Sequence, residues 1–219
     1  MSLLNPAKNV FLFKPKNFSC NSFLIKGEKT ALIDSASFAA EKEFLEMLSE
    51  IKVKPEEIDF ILHTHGHYDH FEADELFPNA EIFMSEPDSS ELKKKNFDFT
   101  HLTHPESFHP EIHSLLKENQ IIEVSPFSLK TIFTPGHSKG SVCFYEPNQK
   151  WLFSGDTLFY HTIGRTDLET SSFDEIKKSI KKLSCLNIKF LFPGHGKTIS
   201  GIKKNKENFE FIKQSFFNV

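Results

Sequence analysis

The stretch "HTHGHYDH", residues 63–70, decides how the rest of the chain is read. It gathers four of the 11 histidines around one aspartate, Asp69, on a short piece of backbone. It leaves the apolar run "IDFILH" at 58–63, which predicts a short buried strand. His65 and His67 stand two apart on the turn leaving that strand, so both rings can aim at one point. Asp69 and His70 follow and can serve a second point nearby. Neutral imidazole suits zinc or iron, and a carboxylate offsets part of the cation's charge. A polar loop can hold as many histidines, so the metal reading needs support from elsewhere in the chain. His63, ahead of the cluster, is read as packing or hydrogen bonding at the strand end.

Three later stretches supply that support. "TPGHSKGS" at 134–141 places His137 after an apolar run, in a Pro-Gly turn. "FSGDTLF" at 153–159 places Asp156 after another apolar run and a glycine, and "LFPGHG" at 191–196 places His195 between two glycines. Each follows the same order of strand, glycine-linked turn and candidate ligand. Loops held by a rigid sheet are where sites are usually built.

The intervening sequence reads as two β-rich halves. Strands are expected at 9–14, 21–26, 30–34 and 81–85 in the first half, with the Gly27-Glu28 turn marking a hairpin. Between them Phe38, Phe44, Leu45, Leu48 and Ile51 form one helical stripe. In the second half strands are expected at 121–124, 129–134, 141–146, 151–156 and 188–192. A helix over 173–184 carries Phe173, Ile176, Ile180 and Leu183 on one face, and an amphipathic helix closes the chain. Residues 86–118 are polar, with Pro87, Pro105 and Pro110 and with His101, His104, His109 and His113. This segment is expected to be an insertion forming a lid over the site, and only His109 and His113 have the spacing of a helix-borne ligand pair. Two sheets face to face with helices outside would bury both halves in one α/β domain spanning 1–219.

Bulk composition narrows the partners. The 219 residues carry a net charge of −4, which gives no reason to expect nucleic acid. The lysine pairs and triplets are interleaved with acids and read as solvated surface. Cys20, Cys143 and Cys185 are odd in number and widely spaced, which favours free thiols and a cytoplasmic protein. The N-terminus lacks the charged and apolar pattern of an export signal, and no run is long enough to span a membrane. A small-molecule substrate is expected; the oligomeric state is left open, with a dimer among the alternatives.

The chain resembles the metallo-β-lactamase-fold hydrolases, whose signature is His-x-His-x-Asp-His followed by a His, an Asp and a His. Here those are His65, His67, Asp69 and His70, then His137, Asp156 and His195. The resemblance covers nearly the whole chain and implies an αββα sandwich. It also implies that His65, His67 and His137 hold one metal, that Asp69, His70 and His195 hold the other, and that Asp156 bridges them. Two divalent ions, zinc first with iron or manganese as alternatives, about 3.5–4 Å apart would share a hydroxide as nucleophile. Asp69 is then placed to take up and return a proton as well as to ligate.

"GDTLFYHTIGRTDL" after Asp156 narrows the branch. Gly164-Arg165-Thr166-Asp167 resembles a motif of small glyoxalase II-like (hydroxyacylglutathione hydrolase-like) proteins and of persulfide dioxygenases. The 26 Lys+Arg residues include a single arginine, Arg165. Arg165 and Asp167 are expected to brace loops near the site, and Asp34, ending "TALID", to support a ligand from behind. Phe159, Tyr160 and His161 are candidates to line the substrate pocket. Departures from glyoxalase II are plain: few residues follow His195, and Ile163-Gly164-Arg165-Thr166 stands where that enzyme holds glutathione. Persulfide dioxygenases have a cysteine at the place of Ile163. The favoured activity is therefore hydrolysis of a thioester, or of an ester or lactone. A mononuclear iron persulfide dioxygenase-like reaction is the alternative, and β-lactamase or phosphodiesterase side activity is compatible with the same fold.

Overall fold

Period-two alternation of apolar residues builds two sheets, each with one face turned towards the other. The computed structural model describes residues 2–14, 19–37, 40–94 and 111–217. The first sheet has seven strands in sequence order: β1 (Ser2–Ala7), β2 (Val10–Lys14), β3 (Ser22–Lys26), β4 (Thr30–Ile33), β5 (Phe60–Leu62), β6 (Glu81–Ser85) and β7 (Ser114–Leu116). Strands β1 to β4 form an antiparallel meander, and β4 to β7 are parallel. The second sheet has six strands: β8 (Ile121–Val124), β9 (Phe127–Phe133), β10 (Val142–Glu146), β11 (Trp151–Gly155), β12 (Phe190–Pro193) and β13 (Ile199–Ser200). Its order is β13-β12-β11-β10-β9-β8, and β11 and β12 are its parallel pair.

Parallel neighbours need crossovers, and helices supply them. In the first sheet α1 (Glu41–Glu50) lies between β4 and β5, α2 (Tyr68–Phe71) between β5 and β6, and α3 (Glu86–Lys93) follows β6. In the second, α4 (Phe173–Ser184) joins β11 to β12, and α5 (Ile202–Phe217) ends the described chain. The start of α4 is marked by Ser172, whose side chain accepts from the Glu175 amide at 3.4 Å. Asp174 and Glu175 lie in its first turn and Lys181 and Lys182 in its last, complementing the helix dipole.

Strand parity then sorts the core into layers. Phe23 and Ile25 of β3 point inward to meet Leu129, Phe144, Trp151, Phe153 and Phe192 of the second sheet. Leu24, between them, points outward and packs with Phe44, Met47 and Leu48 of α1. On the far side Cys143, Leu152 and Leu191 are covered by Ile176, Ile180 and Leu183 of α4 and by Phe209 and Ile212 of α5. The architecture is the expected αββα sandwich, and the expected strands and helices appear within a few residues of their predicted bounds.

Three strands escaped the sequence reading. β1 contains Pro6 and shows a register irregularity between Leu4 and Ala7, which an edge strand tolerates. β13 is two residues long. β7 lies within the segment read as an insertion: residues 86–93 form α3, and 114–116 add a parallel strand beside β6, so both described ends belong to the sandwich. His101, His104 and His109, and any lid formed by 95–110, lie outside the described residues. His113 precedes β7 rather than sitting on a helix, and its Nδ1 accepts from the Ile82 amide at 3.1 Å.

Candidate metal centre

The carboxyl ends of the parallel strands deliver the site. Asp34 follows β4, the 63–70 cluster follows β5, Asp156 follows β11 and His195 follows β12. His137 follows β9 on the turn leading to β10. Ligand sites in open α/β sheets occupy this end for the same reason, since turns there converge while their roots stay fixed.

His65, His67 and His137 converge on one point. His65 Nε2 lies 3.0 Å and His137 Nε2 2.9 Å from His67 Nδ1. The groups behind the rings choose which nitrogen is left bare. Thr64 Oγ1 donates to Asp34 Oδ2 at 2.8 Å, so the 3.1 Å contact between Thr64 Oγ1 and His65 Nδ1 has the imidazole as donor. His137 Nδ1 likewise donates to the Arg165 carbonyl at 3.1 Å. Both rings therefore turn an Nε2 lone pair into the cluster. Imidazoles that ligate metals are held in this way by an acceptor on the opposite nitrogen.

Asp69, His70 and His195 form a second convergence beside the first. His195 Nε2 is 3.1 Å and His70 Nε2 3.7 Å from Asp69 Oδ2. His70 Nδ1 donates to Asp34 Oδ2 at 2.8 Å, again leaving Nε2 facing inward. Asp156 spans the two sets: Oδ1 is 3.5 Å from His70 Nε2, and Oδ2 is 3.6 Å from both His137 Nε2 and His195 Nε2. Gly194 allows this approach, because a Cβ there would overlap Asp156 Oδ1. Among the described residues, His70 Nε2 and Asp156 Oδ1 are buried without a hydrogen-bond partner. Such a group costs about 1–3 kcal/mol unless something satisfies it, and a cation between them would. The donor set, two triads of nitrogen and carboxylate ligands joined by a carboxylate, fits divalent metal.

The electrostatics match. Burial, joined by the charges of His70 and His67, holds the His65 imidazole well below its ordinary pKa and therefore neutral. Burial also lowers that of His137, against the pull of Asp156. For His70, burial disfavours the cation, but Cys20, Asp34, Asp69 and Asp156 together outweigh it and raise its pKa well above the usual value. Burial alone would push the Asp69 carboxyl up; His70 and His195 reverse this and bring it to about 2.

The supporting residues divide unevenly. Asp34 is buried and accepts from the Thr64 amide, the Thr64 hydroxyl and His70, each at 2.8 Å. It adopts a left-handed φ of 56°, a conformation that Asp tolerates better than most residues and that marks strain retained at a site. Arg165 and Asp167 correct the expectation for their side chains. They are 68% and 70% exposed and pair with each other in a fork of 3.0 and 2.9 Å. What reaches the site from Arg165 is its backbone carbonyl. Phe159 and Tyr160 line a cavity together with His195, whereas His161 is stacked between Tyr160 and Phe211 and lines a neighbouring depression instead.

Other residues were not singled out from sequence. Asn21 donates to the Pro193 and Gly196 carbonyls at 2.9 and 3.2 Å, fixing the His195 turn. His63, read as packing or hydrogen bonding at the strand end, makes a buried contact of 2.8 Å with Asp74. Burial opposes the His63 cation, but Asp74 and Asp34 prevail and push its pKa up to about 9. Asn21 lies in a short loop and Asp74 opens a short 3-10 helix, and nothing local in the sequence separates them from solvated neighbours.

The chain belongs to the metallo-beta-lactamase superfamily, whose sequence profile matches residues 15–195. It is 31% identical over 186 residues to a probable metallo-hydrolase of Methanocaldococcus jannaschii, covering 82% of this chain and 88% of that protein. It is also 31% identical over 215 residues to the hydroxyacylglutathione hydrolase GloC of Haemophilus influenzae, covering 92% of this chain and 97% of that one. The solved protein TTHA1623, in a di-iron-bound form, superposes with a TM-score of 0.75 at 25% identity, covering 91% of this chain and 98% of that one. The protein is thus a metal-binding hydrolase of this superfamily. Among the described residues no helix is long and apolar enough to cross a membrane.

Proposed function

We propose that this protein hydrolyses an acyl thioester, with esters and lactones as weaker substrates, using two divalent cations, zinc first. His65, His67 and His137 would hold one, Asp69, His70 and His195 the other, and Asp156 would touch both. The observation that carries this reading is the pair of donor triads facing each other across Asp156. The di-iron state of TTHA1623 supports the number of cations, and the hydroxyacylglutathione hydrolase relative supports the thioester.

Bound there, the cations would supply Lewis acidity and an attacking water ionised near neutral pH. The remaining work falls to the chain. A cavity of about 530 Å³ opens beside His195, walled by Phe159 and Tyr160 with Lys14 and Lys197 in its lining, and is sized for a small molecule. Lys197 Nζ sits 3.4 Å from the centre of the Tyr160 ring, which fixes that wall. Asp69, whose Oδ2 is 3.1 Å from Nε2 of the cavity-lining His195, accepts the proton released as water adds to the acyl carbon. It returns that proton to the sulfur as the C–S bond breaks, leaving a free thiol and a carboxylic acid that gives its own proton to solvent. The three free cysteines support a reducing compartment, and the cytoplasm is the proposed location.

The test combines metal counting with turnover. Wild-type protein is expected to contain about two divalent ions per chain and to release thiol from acyl thioesters faster than it opens lactones, lactams or phosphodiesters. Asp69→Ala is expected to lower kcat by about 10²–10⁴-fold. One ion per chain, or an Asp69→Ala enzyme working at the wild-type rate, would reject the reading.

A further inference from the structure

Outside the ligand set, one buried carboxylate touches both loops that carry the three-histidine triad. Asp88 lies in the first turn of α3, and its side chain is fully buried. Its Oδ2 accepts from the Gly66 amide at 3.0 Å and from the Ser138 hydroxyl at 2.7 Å. Its Oδ1 accepts from the Gly140 amide at 2.8 Å. Gly66 separates His65 from His67, and Ser138 follows His137. Partners so far apart in the chain are thus joined through one side chain. Ser138 is itself held by Ser141, whose Oγ lies 2.8 Å from the Ser138 hydroxyl and accepts from the Ser138 amide at 3.0 Å. Gly140 leaves room for the clamp, since a Cβ there would overlap the Asp88 carboxylate and Ser85 Oγ.

We propose that Asp88 is a positioning residue that sets the bite of the His65/His67/His137 triad by clamping its two loops together. An isolated buried carboxylate would be costly, and three converging donors are what make it tolerable here. Burial pushes its carboxyl up to about 6 against the pull of the Ser138, Gly66 and Gly140 donors, so at neutral pH the acceptor is chiefly ionised. Among the described residues the second triad has no such clamp: His70 is held by Asp34 and the His195 turn by Asn21 instead. Asp88 should therefore govern one half of the centre and not the other. The position of α3 also carries a consequence, because displacement of this helix would be felt first at the three-histidine triad.

This inference rests on the metal reading above, and the experiment separates the two. Metal-free protein is titrated with Co²⁺, and the d–d absorption band gives affinity and coordination. One background, His195→Gln, disables the Asp69/His70/His195 triad; the other, His67→Gln, disables the three-histidine triad. Asp88→Asn is expected to weaken Co²⁺ binding about 10–100-fold in the first background, with a shifted band, and to change it less than about threefold in the second. Equal losses in both backgrounds, or an unchanged affinity and band in the first, would overturn the clamp. Should Asp88→Asn fail to fold, Ser138→Ala removes one donor and is expected to cause a smaller loss, about threefold to tenfold, in the first background only. If neither background binds Co²⁺ before Asp88 is touched, it is the metal reading that fails.

Discussion

The two triads differ in how they are enclosed. His65, His67 and His137 are buried and held from behind by Thr64, the Arg165 carbonyl and the Asp88 clamp. Asp69 and His195 keep side-chain exposures of 14% and 35%, and His195 lines the cavity. The first triad is built to hold a ligand set still, and the second sits where a substrate can reach it. Rigidity on one side and access on the other divide the centre between binding and turnover.

The largest expected effect removes the group common to both halves. Asp156→Ala should lower thioester turnover on the order of 10⁴-fold and reduce the tightly held metal to one equivalent or less, read by kinetics and elemental analysis. Retention of two equivalents would mean that the triads are independent and that the contrast has no shared element. An intermediate effect is expected behind the exposed triad. Asp34→Asn should weaken metal binding about 10–100-fold by loosening His70, and a fall confined to the three-histidine triad would invert the assignment of Asp34. The smallest effect is expected at the surface: Arg165→Lys should leave kcat/KM within about twofold. Among the described residues its guanidinium pairs with exposed Asp167, while the carbonyl that orients His137 survives the change. A loss of a hundredfold or more would show the arginine acting on substrate.

Much of this contrast could be read in the chain itself. Strand, turn and donor recur at 58–70, 129–137, 151–156 and 188–195, because a sheet root and a glycine-bearing turn leave local traces in composition. β1, β7 and β13 left none, being too short or too interrupted to alternate. Arg165 misled for a different reason: being the single arginine makes a residue conspicuous without saying whether its side chain or its backbone matters. Asp88 reads as an acid near a helix start, which the dipole alone would favour. Its role depends on partners 22 and 50 positions away, and only the folded chain brings them together.

The parallel pairing of β11 with β12 has one more result. It sets the last carboxylate and the last imidazole on adjacent stems, and the residues just beyond each stem, Phe159 and Tyr160 on one and Lys197 on the other, wall the cavity. Exchanging those tips would retune which molecules are accepted while the donors at their bases stay put. A scaffold wired this way can diversify its diet without relearning its chemistry.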